Sequence, residues 1–407
     1  MSSDILPRLS QGRPYLAIPG PSVIPDRVLN AMHQPAPNIY EGALPQMMPD
    51  LLRDLRAVAC TTQHVAIYIA NGHGAWEAAL ANLCASGDRV LSLVTGRFGT
   101  GWAEMARAMG IEVETLDFGR NAPVDPQRVE EALRADTDHR LRAVLVTHVD
   151  TASTVRNDIA ALRAAIDAAG HPALLMVDAI ASLGCEELRM DAWGVDIIVA
   201  ASQKGLMTPP GLGFLWVSDK ARAVARARPG PYSPYWNWTP RIDAQAFYQY
   251  FGGTAPTHHL MGLRTALDML IHEEGLEAAW ARHARLARAL WAAAEAWGDH
   301  GGDLRLNITD RAHRSHAVTA MRLTAPDASR LRRWSETQAG VTLGIGLGMA
   351  EPTDPAWHGF FRLAHMGHVN AHMLLGALGV VDAGFKALSI PHGPGALDAA
   401  ARAMVSG

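Results

Sequence analysis

From about residue 66 onward, short apolar runs alternate with amphipathic stretches, and that rhythm restricts the fold more than any other feature of the chain. The runs are VAIYIA, RVLSLV, IEVETLDF, RAVLVTH, ALLMVD, DIIVAAS and GFLWV. Between them lie AWEAALANLCASG, TGWAEMARAMG, DPQRVEEALRAD and DIAALRAAIDAAG. Their apolar positions recur at three and four, and several end in Gly, as helices do. Strands alternating with helices predict βαβ units, hence an α/β fold with a mainly parallel sheet of seven strands between helices. DIIVAASQKGLMTPPGLGFLWVS breaks the rhythm, because a short Gly/Pro loop joins its two apolar runs. That connection predicts one antiparallel strand.

The flanks read differently. Residues 1–25 are rich in Pro and Gly (IPGPSVIP) and predict an extended N-terminal arm. A large domain over 26–275 follows. Within it, residues 228–257 are aromatic and turn-rich, too long for a simple connection, and such segments usually serve function. LMGLRTALDMLIHEEGLEAAWARHARLARALWAAAEAWG predicts two helices broken near Gly275. Beyond it an α+β mixture (LRLNI, AVTAMRL, FFRLAHM and a closing helix HMLLGALGVVDAGFKAL) predicts a smaller C-terminal domain over 276–407. A chain of 407 residues, 49% of them hydrophobic, has enough apolar mass for this arrangement.

Composition excludes several classes. Lys and Arg number 36 against 40 acids, with no basic run, so nucleic acid is not an expected partner. Cys60, Cys84 and Cys185 are odd in number and scattered, which predicts buried thiols in a reducing, cytoplasmic setting. MSSDILPRLSQGRPY has no apolar segment of the signal-peptide kind, and no run of about 18 apolar residues predicts a membrane span. The eighteen His are dispersed, and no metal site is read from them.

Four motifs stand at strand ends. Asn71-Gly72-His73-Gly74-Ala75-Trp76 joins a strand to a helix. Its small residues let backbone approach an anion, and a helix N-terminus offers free N–H groups to phosphate. It also reads as an ordinary tight turn. Thr147-His148-Val149-Asp150-Thr151-Ala152-Ser153 puts polar side chains where open α/β sheets bind ligands, or else is a polar loop that caps the next helix. Asp178 ends ALLMVD, where its carboxylate can hold a protonated pyridine nitrogen or cap a turn. Ser202-Gln203-Lys204 ends DIIVAA and precedes a Gly/Pro loop. A desolvated Lys has a lowered pKa and can form a Schiff base, whereas a surface Lys past a strand does neither. Arg362, in Phe360-Phe361-Arg362-Leu363, suits a carboxylate bidentately or is a surface cation.

Taken together these motifs resemble fold-type I pyridoxal-phosphate (PLP) transferases of the class V aminotransferase group, most of all the alanine–glyoxylate and serine–glyoxylate branch. The resemblance runs from Pro19-Gly20-Pro21 to Gly367, and is most specific in 177–184 (VDAIASLG) and in Ser202-Gln203-Lys204 with its Pro-Pro-Gly sequel. It implies that Lys204 carries the cofactor and moves the substrate proton, and that Asp178 holds the pyridinium nitrogen. It further implies that Phe98 stacks on the ring, that Thr151 bonds the ring hydroxyl, and that Gly72, His73, Gly74 and Gln203 hold the phosphate. Thr254 would reach the phosphate in a neighbouring subunit, so a homodimer with shared sites is implied. Arg362 would bind the substrate carboxylate, and Tyr40 would be a further substrate-binding residue.

The departures are instructive. Serine–glyoxylate relatives often carry His-Arg where this chain has Ile39-Tyr40-Glu41-Gly42. Pyridoxamine–pyruvate aminotransferases have a Tyr and an acid near that point, and resemble this chain in GLEAAWARHAR and His365-Met366-Gly367. Asn71 replaces the usual Ser or Thr, with no acid in that turn, and Phe251 stands where the family has Tyr, unless Tyr250 substitutes. The expected activity is transfer of an amino group from a small L-amino acid (serine, alanine or aspartate-like) to glyoxylate or pyruvate. The alternatives are a pyridoxamine–pyruvate enzyme, a lyase of the desulfurase kind, and a non-catalytic binding protein. A desulfurase needs a reactive Cys near Arg362 and usually a His before the Lys, and Gln203 stands there instead.

Overall fold

The structure is a computed structural model and describes residues 9–228 and 233–406. The first eight residues of the expected arm, and 229–232 of the aromatic segment, lie outside the described residues. In chain order the strands are β1 (Tyr15–Ala17), β2 (His64–Ala70), β3 (Arg89–Val94), β4 (Glu112–Asp117), β5 (Leu141–Thr147), β6 (Leu174–Asp178), β7 (Ile197–Ala201), β8 (Gly211–Val217), β9 (Arg305–Leu306), β10 (Val318–Arg322), β11 (Val341–Ile345) and β12 (Phe360–Ala364).

Seven of them form one sheet in the order β2-β8-β7-β6-β5-β3-β4. Its pairings are parallel except those of β8, which runs antiparallel to both β2 and β7. The departure expected around the Gly/Pro loop is therefore β8. Strands β6 and β7 are buried along their whole length, because helices cover both faces. Leu175 and Val177 enter the core on one face while Leu174 and Met176 enter the core on the other, the period-two alternation of a strand. The edge strand β4 (EVETLD) is mostly exposed, and its acidic side chains discourage pairing with another chain.

The second sheet has the order β1-β11-β12-β10-β9 and its own apolar core, centred on Leu290, Phe361, Leu363 and Phe385. Within the expected extended arm, residues 15–17 form the edge strand of this second sheet, paired in parallel with Val341–Leu343, and Ala17 is part of its core, a pairing that the sequence does not announce. Three residues are too few to show a periodicity. The strand β11 and the helix Asp327–Ala339 before it had no counterpart in the sequence reading. Nor does the helix Ala371–Ala387 close the chain, since Ala396–Val405 follows and packs against Leu276–Gly298. The break at Gly275 is real: it has φ +86° and separates Leu276–Gly298 from the π-helical turn Asp268–Glu274. Among the described residues no helix is long and apolar enough to cross a membrane.

Candidate active site

Parallel strands end on the same edge of a sheet, so the motifs that follow β2, β5, β6 and β7 share one rim. Thr147 is in register with Asp178, and Asp178 with Val199 on β7, three residues before the Ser202-Gln203-Lys204 turn. Lys204 is buried, and its Nζ donates to the Pro19 carbonyl. Burial, and then the charge of Arg362, push its amine down to about 8, against a partial counter-effect from Asp178. Asp178 is equally buried, and its carboxylate accepts the Ile180 N–H at 2.8 Å. Burial, and further the Asp150 charge, push it up to about 7. Each group is held away from its ordinary ionisation for want of a charge beside it. A cationic group bound against Asp178 would supply that charge.

The N-terminal segment closes over the lysine. Ser22 Oγ donates to the Lys204 carbonyl at 2.8 Å, and the Ser22 N–H to the Gln203 carbonyl at 2.9 Å. A Cβ at Gly20 would lie 2.4 Å from Lys204 Nζ, so no larger residue fits there. Pro19 also touches the second sheet, since a Cβ at Gly344 would lie 2.8 Å from its Cδ and 3.2 Å from the Arg362 Cβ. Residues 19–22 therefore span the gap between the lysine and Arg362, a role the sequence reading did not assign.

Arg362, on β12, is buried. Its Nε donates to the Ile345 carbonyl at 2.7 Å and its Nη1 to the Thr151 carbonyl at 2.6 Å. Burial pushes the guanidinium down to about 10, with Asp150 opposing. Among the described residues no carboxylate pairs with it directly. A buried cation without a paired anion is costly, and an anion bound beside it would offset that cost. Thr151 is buried on the same loop.

The turn after β2 starts the helix Gly72–Leu83, and Asn71 caps it by accepting the Gly74 N–H at 3.2 Å. The first N–H groups of a helix have no acceptor within it, and they stand ready for an anion. A Cβ at Gly72 would lie 2.4 Å from Ile180, and one at Gly74 2.8 Å from Ala70 and 3.1 Å from Trp236. His73 packs on Trp76 at 4.7 Å, and burial pushes its imidazole down. Gln203 Oε1 is a buried acceptor with no partner among the described residues. Phe98 meets Trp76 edge-on at 6.2 Å, and Trp76 stacks on Trp102 at 5.9 Å. Trp76 was quoted in a motif but given no role. Its signal was its spacing from Asn71, and that spacing also fits plain core.

Two candidates stay apart in the single chain. Tyr40 is 88% exposed, and Thr254 lies exposed on the loop after Gly253. Phe251 is core, packed on Phe247 at 5.3 Å. Burial pushes Cys84 and Cys185 up to about 12, and Cys60 upward as well, so none is an activated thiolate. His258 and His259 turn to different carbonyls, those of Gln34 and Pro210. A cleft of about 1020 Å³, lined among others by Gly96, Arg97, Asn307, Met349 and Phe360, opens between the two sheets beside this rim.

A buried lysine and carboxylate on adjacent strand ends, a helix N-terminus and a buried arginine from the second sheet define a fold-type I PLP-dependent transferase. The free N–H groups at the start of the Gly72–Leu83 helix and the glycine-lined turn fit the phosphate of that cofactor. The family model "Aminotransferase class-V" matches residues 53–358, and the chain belongs to that family. It is 38% identical over 388 residues to serine–glyoxylate aminotransferase of Methylorubrum extorquens, covering 92% of this chain and 93% of that one. L-Aspartate–glyoxylate aminotransferase of Paracoccus denitrificans is 35% identical, with 92% and 91% covered. Among solved structures, pyridoxamine–pyruvate aminotransferase from Mesorhizobium loti superposes with a TM-score of 0.86 at 26% identity, over 97% of both chains. The protein is a PLP-dependent aminotransferase.

Proposed function

We propose that this aminotransferase moves an amino group from a small L-amino acid, serine or an aspartate-like donor first, to glyoxylate or pyruvate. The observation that carries the proposal is Arg362: a buried guanidinium without a carboxylate partner, beside the buried pair Lys204 and Asp178. PLP supplies the electron sink that lets the substrate Cα–H bond break. In this reading Lys204 Nζ carries the cofactor and takes the proton from Cα. Its lowered pKa keeps a free amine available near neutral pH. Asp178 is the anion that holds the ring nitrogen protonated. Phe98 stacks on the ring and Thr151 meets its hydroxyl, while the Gly72-His73-Gly74 turn and Gln203 take the phosphate. Arg362 binds the substrate carboxylate and so orients the Cα–H bond.

The exposure of Tyr40 and Thr254 supports a homodimer in which the partner subunit's Thr254 and the partner subunit's Tyr40 complete the site. A division into a large unit over 26–275 and a small one over 276–407, the latter joined by β1, belongs to the same proposal. So does a cytoplasmic location, supported by three free cysteines. Transfer to glyoxylate is favoured over pyridoxamine chemistry because the Asn71–Gly74 turn presents a helix N-terminus and no carboxylate, which suits a phosphate.

The test is a half-reaction. The protein is loaded with PLP, dialysed, and its visible band followed as L-serine, L-alanine, L-aspartate and pyridoxamine are added separately. Bleaching by one amino acid and recovery on glyoxylate or pyruvate is expected. A band that no amino acid moves overturns the proposal, and turnover of pyridoxamine with pyruvate in the cofactor-free protein replaces it with the vitamin-substrate reaction.

A further inference from the structure

Asp150 carries a carboxylate that the mechanism above does not use, although it is completely buried at the rim. Its Oδ2 accepts the N–H groups of Phe98 at 2.8 Å and Gly99 at 3.1 Å, the first turn of the helix Arg97–Ala108. That helix starts at Gly96, which has no side chain to cap it. The other oxygen, Oδ1, accepts the N–H groups of Ala152 at 2.9 Å and Ser153 at 3.3 Å. One side chain thus caps a helix from a different strand end and folds its own loop at the same time. The approach demands a glycine: a Cβ at Gly96 would lie 2.4 Å from Asp150 Oδ1.

The two segments it joins carry different candidate groups of the site. The helix start carries Phe98. The loop carries Thr151, whose carbonyl anchors Arg362 at 2.6 Å. We propose that Asp150 is a positioning residue that locks the Phe98 helix start to the Thr151 loop, so that the ring-stacking side and the carboxylate-binding side of the site keep one fixed separation. Only a carboxylate can do this. Two pairs of N–H donors need two acceptor oxygens, whereas an amide offers one oxygen and turns an NH2 group on the other pair. A negative charge near the start of the helix is also favourable to its dipole. The inference rests on the functional reading above for the roles of Phe98 and Arg362, but not for the link between the two segments.

The test uses Asp150→Ala, Asp150→Asn and Gly96→Ala in the full chain. Amide hydrogen exchange is read in the cofactor-free protein, with the amides of β6 as the internal reference for global opening. In Asp150→Ala, exchange at Phe98, Gly99, Ala152 and Ser153 is expected to accelerate about tenfold or more relative to β6. Gly96→Ala should accelerate the same four by displacing the carboxylate, and Asp150→Asn should accelerate one pair only. In the PLP-loaded enzyme, KM for the amino donor should rise about tenfold in Asp150→Ala with a smaller fall in kcat, as Arg362 loses its anchor. Unchanged exchange at the four amides, or acceleration no greater than in β6, overturns the lock. Accelerated exchange with an unchanged KM overturns its coupling to Arg362. Because exchange is read without cofactor or substrate, its outcome does not depend on which amino donor the enzyme accepts.

Discussion

Asp54 and Asp178 are both buried carboxylates in the part of the chain built on the seven-stranded sheet, and they have opposite fates. Asp54, on the helix Met48–Val58, is met by Arg53 at 2.9 Å, by His272 at 2.8 Å and by the Arg264 guanidinium. Burial alone would raise its pKa, but those three partners outweigh burial and hold it below the usual range. Asp178 accepts one backbone N–H, no cation pairs with it among the described residues, and burial outweighs the nearby Lys204 charge, so it rises to about 7. The same contrast separates Arg264, which bridges Asp54 and Asp268, from Arg362, which has only carbonyls. A charge that ties elements together is satisfied from within the chain. A charge that waits for a ligand is left unsatisfied, and its perturbed ionisation marks the place.

The contrast breaks most visibly at Lys204. Lys204→Ala should lower amino transfer by about a thousandfold or more while leaving the fold intact, read as half-reaction kinetics and far-ultraviolet dichroism. A variant retaining near-normal rates would put the chemistry elsewhere. Next is Arg362→Lys, which keeps the charge but loses the planar fork. KM for the amino donor should rise about a hundredfold, and equal KM values would remove Arg362 from the substrate.

Asp54→Asn tests the other side. It should cost about 2 kcal/mol in denaturant unfolding, under the roughly 3–5 kcal/mol of a fully enclosed pair because Arg53 and His272 reach solvent, and leave kcat unchanged. A fall in kcat without loss of stability would assign Asp54 to the site. The Asp54 contribution is present above the ordinary carboxylate range and fades as pH falls through its lowered folded value.

The smallest effect is a pH signature of the cofactor-free protein. Asp178 has a folded value of about 7 against an ordinary 3.8, so the folded chain holds the extra proton between them and stability falls as pH rises through that window. Lys204 has about 8 against 10.5, so the unfolded chain holds the extra proton there and stability rises with pH. The pair produces a shallow stability minimum between the two folded values. Asp178→Asn should raise Tm there by about 2 °C and abolish the acid-side limb, whereas a flat profile in the parent protein would mean that the two charges already satisfy each other.

Much of the fold was legible because it rests on local pattern. The seven apolar runs match β2 to β8 to within a few residues, and even the antiparallel β8 was announced by the Gly/Pro loop before it. Positions at strand ends were legible too: Asp178 ends β6, and Lys204 stands three residues past β7. What escaped was short or non-local. β1 has three residues, and nothing in Tyr15-Leu16-Ala17 announces a partner more than 300 residues later. Asp150 sat inside a quoted motif, but its function lies in four amides from two segments, and no spacing encodes that.

The sequence by itself determined the α/β alternation, the strand ends and the residue types available at them, since hydrophobic period and turn chemistry act over neighbouring residues. Only the tertiary structure decided which of those residues are buried together and which remain unpaired. Arg362 became a buried cation rather than a surface one because β12 packs it under the Thr151 carbonyl, and among the described residues no carboxylate pairs with it directly. Desolvation depends on everything that surrounds a charge, and it is the fold, not the local sequence, that sets those surroundings.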